Sequence, residues 1–289
     1  MSWKRLIHFE DEHGTQAFGE PDVKDVADFY LQLGNGSLSA NVLRGDDMFA
    51  LRDTNEKVRV QKLLPILTPK DVPLIKCIGL NYMKHIKEAG RSPPPYPTFF
   101  IKPSHSIAGF DEDIPIPQIA QDDQCDWEGE LSIVIGKTGK NIKKEEALDY
   151  VAGYMASNDV SARKWQRDPA FAGSVPQWGF SKGFDKWAPV GPMIVSPSVV
   201  GDAGNLALTT TVDGVVRQSS NTNDLIFGVR EIIAFVSQGT TLEKGTVIMT
   251  GTPSGVALGM ANPPWLKHGQ VVEVSIEQLG SVKNKMHFE

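Results

Sequence analysis

Three acidic residues alternate with other residues in the stretch DWEGELSIVIG, which spans residues 126–136. Alternate side chains of a β-strand point to the same face, so Asp126, Glu128 and Glu130 are predicted to lie side by side. Same-face neighbours are only about 7 Å apart, and uncompensated carboxylates at that distance repel one another. We therefore expect either positive charge among the three acids or open water around them.

Alternating acids most often form the solvated face of a half-exposed strand. Here they are followed by the apolar run LSIVIG, in which Leu131, Ile133 and Ile135 share the face opposite to the acids. That opposite face is predicted to be core. The acidic face is then expected to line a cavity.

A further carboxylate, Asp159, ends the apolar part of the stretch YMASNDVSAR. Locally it is favoured as a helix N-cap, and the alternative is a strand end that delivers a ligand to a site. With Glu128 and Glu130 it forms an all-oxygen set without nearby His or Cys, which suits hard cations such as Mg²⁺, Mn²⁺ or Ca²⁺. Zinc would be expected to have nitrogen or sulfur ligands.

A possible acid–base pair occurs in NYMKHIKEAG, where His85 and Glu88 are three residues apart. That spacing brings both side chains to one face of a helix. An isolated pair of this kind is more often a surface pair. If it is functional, the glutamate orients the histidine, which takes a proton from water as a general base.

Three polar residues are candidates for holding an acidic substrate: Arg163 and Gln166 after Asp159, and Lys182 in SKGFDKW. Arg and Lys are mostly exposed, so a surface position is the default for both. The i, i+4, i+7 spacing of Asp159, Arg163 and Gln166 would place these three on one helical face. Asp159, Arg163 and Gln166 would then point into the same cavity.

The elements that must position these residues are mostly short β-rich runs, such as LALTTTVDGVVR, GTVIMTG and QVVEVSIEQLG. Helical patterns are few, and prolines at 65, 69 and 73 mark a boundary. We predict a mostly β fold with peripheral helices, of the α+β class. A small N-terminal β-rich domain is expected over residues 1–70, and a catalytic domain over residues 71–289.

The 289 residues have a formal net charge of −6 and are 40% hydrophobic and 22% charged. Such a chain buries an ample core and has no basic field, so neither nucleic acid nor a membrane is expected as a partner. Its two cysteines form no CxxC pair, which argues against a thiolate zinc site. The start, MSWKRLIHFEDEHG, has no leader pattern, so we expect a cytoplasmic protein, with the mitochondrion left open.

Six motifs follow one another along residues 72–289: GLNYMKHIKEAG, FIKPSHSI, DWEGELSIVIG, SNDVSARKWQ, SKGFDKWAPVGP and TGTPSGV. In this order and spacing they resemble the fumarylacetoacetate hydrolase family. The resemblance implies a mixed β-sandwich roll built around a metal ion, in a homodimer. The N-terminal 70 residues match the family less sharply.

The resemblance also implies roles for individual residues. The metal ligands would be Glu128, Glu130 and Asp159, and the ion Mg²⁺ or Mn²⁺, with Ca²⁺ as a substitute in a crystal. The catalytic residues would be His85 and Glu88, as a dyad on a lid, and Lys182, near the substrate carboxylate or a developing oxyanion. The substrate contacts would be Arg163, Gln166, Thr252 and Lys102. Without the resemblance, Thr252 would be a turn residue beside Pro253.

These residues suggest one chemistry with several outcomes. A 2-oxo carboxylate chelates the cation through a carboxylate oxygen and its keto oxygen, which stabilises an enolate. The leading hypothesis is metal-dependent cleavage of a C–C bond in small 2-oxo, 1,3-dicarbonyl acids through a metal-bound enolate, by acylpyruvate hydrolysis or oxaloacetate decarboxylation. The alternatives are a hydratase or isomerase of 2-oxo-alkenoic acids, and a metal-stabilised binding protein without turnover.

Overall fold

The computed structural model describes residues 2–88 and 92–289, apart from the side chains of His85 and Glu88. Within these residues no helix combines the length and the apolar character that crossing a membrane requires. Both cysteines, Cys77 and Cys125, are buried free thiols.

The strands dominate the described residues. In chain order they are β1 (Arg5–Asp11), β2 (Gln16–Pro21), β3 (Ser39–Arg44), β4 (Arg52–Leu64), β5 (Ile75–Gly79), β6 (Thr98–Lys102), β7 (Ile107–Ala108), β8 (Ile114–Ile116), β9 (Cys125–Asp126), β10 (Gly129–Ile135), β11 (Gly139–Lys140), β12 (Val151–Asn158), β13 (Ser161–Ala162), β14 (Ala188–Val195), β15 (Ala207–Val212), β16 (Val215–Asn221), β17 (Thr241–Leu242), β18 (Val247–Met249), β19 (Val271–Ile276) and β20 (Gly280–Phe288).

The helices are short and peripheral. The α-helices are α1 (Val26–Gly34), α2 (Met83–Glu88), α3 (Arg163–Arg167), α4 (Pro169–Ala172), α5 (Trp178–Lys182), α6 (Pro197–Val200) and α7 (Val229–Val236). Single turns of 3₁₀-helix occur at Ser104–Ser106, Gln118–Ala120, Thr222–Asp224 and Ala257–Gly259, and a longer one at Lys144–Tyr150.

The larger sheet joins 11 of the described strands. Its hydrogen-bonded order is β2-β3-β4-β1-β14-β12-β10-β18-β5-β6, and β7 pairs with β14 in parallel. The central neighbours β10, β12 and β14 are antiparallel, whereas β18 runs parallel to β5. The expected mostly β fold with peripheral helices is confirmed.

The second sheet contains five described strands in the order β16-β15-β19-β20-β8. Strands β15, β19 and β20 pack across β10, β12 and β14, so the two sheets form a sandwich. All seven residues of β10 are buried. Burial on both faces explains why β10 reads as a continuous apolar run after its acids.

The N-terminal strands extend the larger sheet. Strand β1 pairs with β14 through Arg5 opposite Val195 and Leu6 opposite Ile194. Phe9 belongs to the same hydrophobic cluster as Ile133 of β10. The domain boundary near residue 70 stays a prediction.

The segment after Asp159 is not one helix, which corrects the expected i, i+4, i+7 face. Strand β12 ends at Asn158, and α3 begins only at Arg163, with the short strand β13 between them. The residue that precedes α3 is Ala162, so Asp159 does not cap this helix. The shared helical face therefore holds only for Arg163 and Gln166.

Candidate metal centre and substrate cavity

Three buried carboxylates meet where β10 and β12 lie side by side. Ligand oxygens of Glu128, Glu130 and Asp159 all lie within 4.8 Å of one another. Gly129 of β10 is opposite Asn158 of β12, and the Asp159 N–H donates to the Glu128 carbonyl oxygen at 2.8 Å. Sheet pairing thus brings together acids that are about 30 residues apart in the chain.

Two buried lysines neutralise part of this cluster. Lys182 Nζ at the end of α5 donates to Glu128 Oε2 at 2.7 Å and to Asp159 Oδ2 at 2.6 Å. Lys102 Nζ at the end of β6 donates to Asp159 Oδ1 at 2.7 Å and to the Trp187 carbonyl oxygen at 2.6 Å. Positive charge among the acids was one of the two alternatives expected from the sequence, and these ammonium groups supply it.

Arg163 supplies a third positive charge, and it connects Glu128 to Asp126. Its Nη2 lies 2.7 Å from Glu128 Oε1, and its Nε donates to Asp126 Oδ2 at 2.8 Å. Its Nη1 donates to Gln166 Oε1 at 3.0 Å. Arg163 therefore holds Glu128 in place and aligns the Gln166 amide one helical turn away.

Asp126 does not share the position of the other two alternating acids. Strand β9 ends at Asp126 and β10 begins at Gly129, so the predicted continuous strand is interrupted. The Asp126 carboxylate accepts N–H bonds from Ala257 at 2.8 Å and Leu258 at 3.1 Å. Its role is to anchor this loop and Arg163.

The charges of the cluster are set by burial and by neighbours. Burial alone raises the pKa of the Glu128 carboxyl, but Lys182 and Arg163 outweigh it and lower that pKa to about 2. Burial, together with the charges of Asp159 and Glu128, raises the pKa of Glu130 well above its usual range. Although burial lowers the pKa of Lys182, Asp159 and Glu128 raise it overall.

Glu130 receives one hydrogen bond from the loop after β18. The Gly251 N–H donates to Glu130 Oε2 at 2.7 Å. The next residue, Thr252, donates from Oγ1 to the Gly129 carbonyl oxygen at 3.0 Å. The TGTPSGV motif is therefore held against the acidic stretch by direct bonds.

A cavity of about 400 Å³ meets the cluster at Glu128. Its polar lining comprises Glu128, Arg163, Gln166, Arg167 and Thr252. Its apolar lining includes Ile78, Leu80, Ile86, Phe100, Trp178, Val256 and Leu258. The cavity thus combines a charged end with apolar walls, as sites for small organic acids do.

Two aromatic rings that line the cavity, those of Phe100 and Trp178, lie next to Lys182. The rings of Phe100 and Trp178 meet edge to face at 5.3 Å, and Lys182 Nζ lies 5.4 Å from the Phe100 centroid. A Cβ on Gly79 would lie 2.1 Å from Trp178, so glycine is required for this close approach. Trp178 is therefore a cavity residue, whereas Phe171 is 40% exposed and packs against Trp165.

Most of the predicted site residues converge on this place. Glu128, Glu130, Asp159, Lys182 and Lys102 form the cluster, and Arg163, Gln166 and Thr252 line the cavity. The side chains of His85 and Glu88 lie outside the described part of the structure. Their helix, α2, borders the cavity through Ile86. The functions of all these residues stay predictions.

Sequence reasoning missed several buried residues that support the acids. Asn158 Oδ1 accepts the Glu128 N–H at 2.9 Å. Asn81 Nδ2 donates to the Thr250 carbonyl oxygen at 2.8 Å, and Gln218 Oε1 accepts the Gly129 N–H at 2.9 Å. Asn81 lies within a motif that was recognised, but the Gln218 contact spans 89 residues and has no local signal.

The mostly β sandwich with a buried carboxylate cluster has a counterpart among known families. The family model described as fumarylacetoacetate (FAA) hydrolase, C-terminal, matches residues 74–287. The chain belongs to the fumarylacetoacetate hydrolase family.

Relatives with three different names are similar to this chain. An oxaloacetate tautomerase of Xenopus laevis, named as mitochondrial, is 41% identical over 233 residues, which cover 80% of this chain and 71% of that protein. A 2-hydroxyhepta-2,4-diene-1,7-dioate isomerase from Mycobacterium marinum matches with a TM-score of 0.78 and 30% identity, over 99% of both chains. A fumarylacetoacetate hydrolase from Exiguobacterium antarcticum matches with a TM-score of 0.74 and 32% identity, again over 99% of both chains.

Proposed function

We propose that this protein is an enzyme that interconverts the enol and keto forms of a small 2-oxo dicarboxylic acid, such as oxaloacetate. The observation that carries the proposal is the cavity, which joins the acidic cluster at Glu128 to polar groups of Arg163, Gln166 and Thr252. The name of the Xenopus laevis relative supports oxaloacetate as the substrate to test first. The named substrate of the Mycobacterium marinum protein is also a dicarboxylate with an enol beside one carboxylate.

The acidic cluster fits a divalent cation. Its donors are all carboxylate oxygens within 4.8 Å of one another, as Mg²⁺ and Mn²⁺ prefer. Three buried acids this close are mutually repulsive, and a cation would relieve that repulsion. Glu128, Glu130 and Asp159 would hold the ion, which would act as a Lewis acid on the carbonyl oxygen of the substrate.

The remaining polar groups bind and orient the acid. Gln166 Oε1 accepts from Arg163, which leaves the Gln166 Nε2 group as a donor for a substrate carboxylate. Thr252 lines the same cavity, with its hydroxyl proton donated to the Gly129 carbonyl oxygen. Lys182 stays protonated between Glu128 and Asp159, and its charge favours the negative charge that develops on an enolate oxygen.

Tautomerisation requires that a proton leave the enol oxygen and that a proton reach the neighbouring carbon. We assign the carbon-side proton to His85, oriented by Glu88, because α2 borders the cavity through Ile86. His85→Ala is expected to slow the reaction on the order of 10²–10⁴-fold, the usual contribution of a general acid or base. Glu88→Gln should slow it less, since a glutamine at this position is still able to hydrogen-bond to a histidine one helical turn away. An unchanged rate in His85→Ala would exclude this role.

Cleavage of a C–C bond is the second candidate, because it too generates an enolate at the 2-oxo group, in this case the enolate of the shortened 2-oxo acid. The Exiguobacterium antarcticum neighbour named a hydrolase supports it. Hydrolysis would use water activated by His85 on an acyl group. Decarboxylation of oxaloacetate needs only a polarised 2-oxo carbonyl, which accepts the electron pair of the breaking C–C bond as CO₂ leaves and the enolate of pyruvate forms.

One assay separates these reactions. Enol-rich oxaloacetate is mixed with Mn²⁺-loaded protein, enol absorbance is followed, and the products are identified by NMR. Rapid loss of enol with keto oxaloacetate as product supports the tautomerase. Pyruvate and CO₂ indicate a decarboxylase, and cleavage of a short acylpyruvate in a parallel assay indicates a hydrolase. No acceleration over Mn²⁺ in buffer, with tight Mn²⁺ binding, would indicate a binding protein.

Two further expectations remain proposals. Strand β6 ends the larger sheet, and its Phe99 and Ile101 are 43% and 47% exposed, so this edge is the first surface to test for a homodimer.

The cytoplasmic location expected from the sequence also stays a proposal, since a relative is named as mitochondrial.

A further inference from the structure

The side chain of Gln218 on β16 is 1% exposed and does not line the cavity. Its carboxamide nevertheless reaches two parts of the candidate site. Gln218 Oε1 accepts the Gly129 N–H at 2.9 Å. Gln218 Nε2 donates to Thr252 Oγ1 at 2.8 Å and to the Pro253 carbonyl oxygen at 2.9 Å.

Gly129 is the residue between Glu128 and Glu130, so these contacts fall on the backbone that joins two of the three acids. Its N–H belongs to the peptide after Glu128, and Gln218 accepts it directly. Its carbonyl belongs to the peptide before Glu130, and it accepts from Thr252 Oγ1 at 3.0 Å. Because Gln218 also holds Thr252, one amide controls both peptide planes between the two carboxylates.

The packing of the second sheet makes this arrangement specific. A Cβ at Gly129 would lie 2.1 Å from Thr210 Oγ1 and 3.1 Å from Gln218 Oε1. The glycine therefore lets β15 and β16 approach β10 closely enough for the Gln218 side chain to reach the Gly129 N–H. An asparagine at position 218 is one methylene shorter and cannot make all three bonds at the present backbone positions.

We propose that Gln218 is a positioning residue for the metal centre. Its amide fixes the separation of the Glu128 and Glu130 carboxylates and the orientation of the Thr252 hydroxyl at the cavity. The inference rests on the proposed cation site. Removal of a group that hydrogen-bonds to the metal ligands from behind typically weakens metal binding by roughly 10–100-fold.

The test is Mn²⁺ titration by calorimetry on metal-free protein, with Gln218→Met as the main variant because methionine has a similar length and shape but no amide. We expect Mn²⁺ to bind 10–100-fold more weakly. The matched control is Asn284→Leu. Asn284 is also 1% exposed, and its amide joins β20 to the carbonyl oxygens of Gly109 and Glu112, away from the acids. Asn284→Leu should lower the melting temperature without changing Mn²⁺ affinity.

A double-mutant cycle with Thr252→Val adds a readout that a purely structural role would not change. If Gln218 acts through Thr252 and Gly129, the losses of Mn²⁺ affinity in the two single variants will not add in the double variant. Additive losses, or a Gln218→Met affinity equal to that of the unsubstituted protein, would overturn the positioning role alone. Failure of the unsubstituted protein to bind Mn²⁺ would overturn the cation site and this inference with it. If Gln218→Met does not fold, Gln218→Asn takes its place with the same expected direction.

Discussion

Two strands of the same sheet, β4 and β10, show opposite environments for charged side chains. Strand β4 is mostly exposed, and its Lys57 pairs with Asp22 through side chains that are 51% and 59% exposed. Beside β10, Lys182 pairs with Glu128 through side chains that are 1% and 11% exposed. Exposed pairs contribute little to stability, whereas loss of one partner from a buried pair is costly. Lysine–carboxylate pairs are thus exposed and contribute little to stability on β4, whereas beside β10 they are buried and cannot lose one partner without a large cost.

The largest effect is expected from Lys182→Met, which removes a charge from the buried cluster while preserving volume. Glu128 retains Arg163 and Asp159 retains Lys102, so we expect the unfolding free energy to fall by roughly 3 kcal/mol, the lower end for a broken buried pair. Urea unfolding of the metal-free protein measures this. Saturating Mn²⁺ should recover part of the loss. A loss of unfolding free energy below about 1 kcal/mol would show that the Lys182–Glu128 pair contributes no more than an exposed ion pair.

Glu130→Gln tests the cluster by affinity rather than stability. Glutamine keeps the shape of Glu130 and an oxygen that accepts the Gly251 N–H, so the fold should persist. Loss of a ligand should weaken Mn²⁺ binding by more than the roughly 10–100-fold that a supporting group contributes. Calorimetric titration measures the affinity, and Glu56→Gln on exposed β4 is the matched control. Equal affinity in Glu130→Gln and the unsubstituted protein would remove Glu130 from the ligand set.

The two regions also differ in how tightly they pack around a glycine, which alanine substitutions can test. Gly129→Ala places a methyl group 2.1 Å from Thr210 Oγ1, so we expect overpacking to cost about 1–3 kcal/mol. Gly34→Ala at the end of α1 meets no atom within 4 Å and should stabilise by up to about 1 kcal/mol. Thermal unfolding measures both changes. Adding Thr210→Ala should recover part of the Gly129→Ala loss, and equal behaviour of the two glycine variants would contradict the close approach.

Lys57→Ala should have the smallest effect. Its partner Asp22 stays hydrated when the lysine is removed, so we expect a loss of at most about 1 kcal/mol that shrinks further at high salt. Urea unfolding at low and high ionic strength checks this. A loss as large as that of Lys182→Met would show that burial does not separate the two regions.

The sequence identified the central strand and its acids because local patterns carry that information. The apolar run after Glu130 predicted burial. The polar end of YMASND left two roles open for Asp159, the locally favoured helix N-cap and a strand end that delivers a ligand, and the structure excludes the N-cap of α3. The true start of α3 at Arg163 was missed because strand β13 is only two residues long. The interruption at Trp127 and Glu128 was missed for a related reason, since Asp126 is fixed by N–H groups more than 130 residues away.

Long-range support could not be predicted from one sequence. Gln218 directly follows the β-rich run LALTTTVDGVVR, and neither its neighbours nor its spacing indicates a contact with Gly129. The pairing of β1 with β14 could not be predicted either. The prolines at 65, 69 and 73 were interpreted as a domain boundary, and they do not indicate with which strand the preceding residues pair.

Part of the cavity lining comes from segments other than those that carry the acids and their lysines. Lys102 ends strand β6 and Lys182 ends helix α5, which also carries Trp178, whereas Pro176 and Val256 form walls on connecting segments. Substitutions in those walls can alter the shape of the accepted acid while the charged cluster is left intact. This partial separation offers protein engineers a small set of positions at which substrate preference can be changed without removing a charge from the reactive centre.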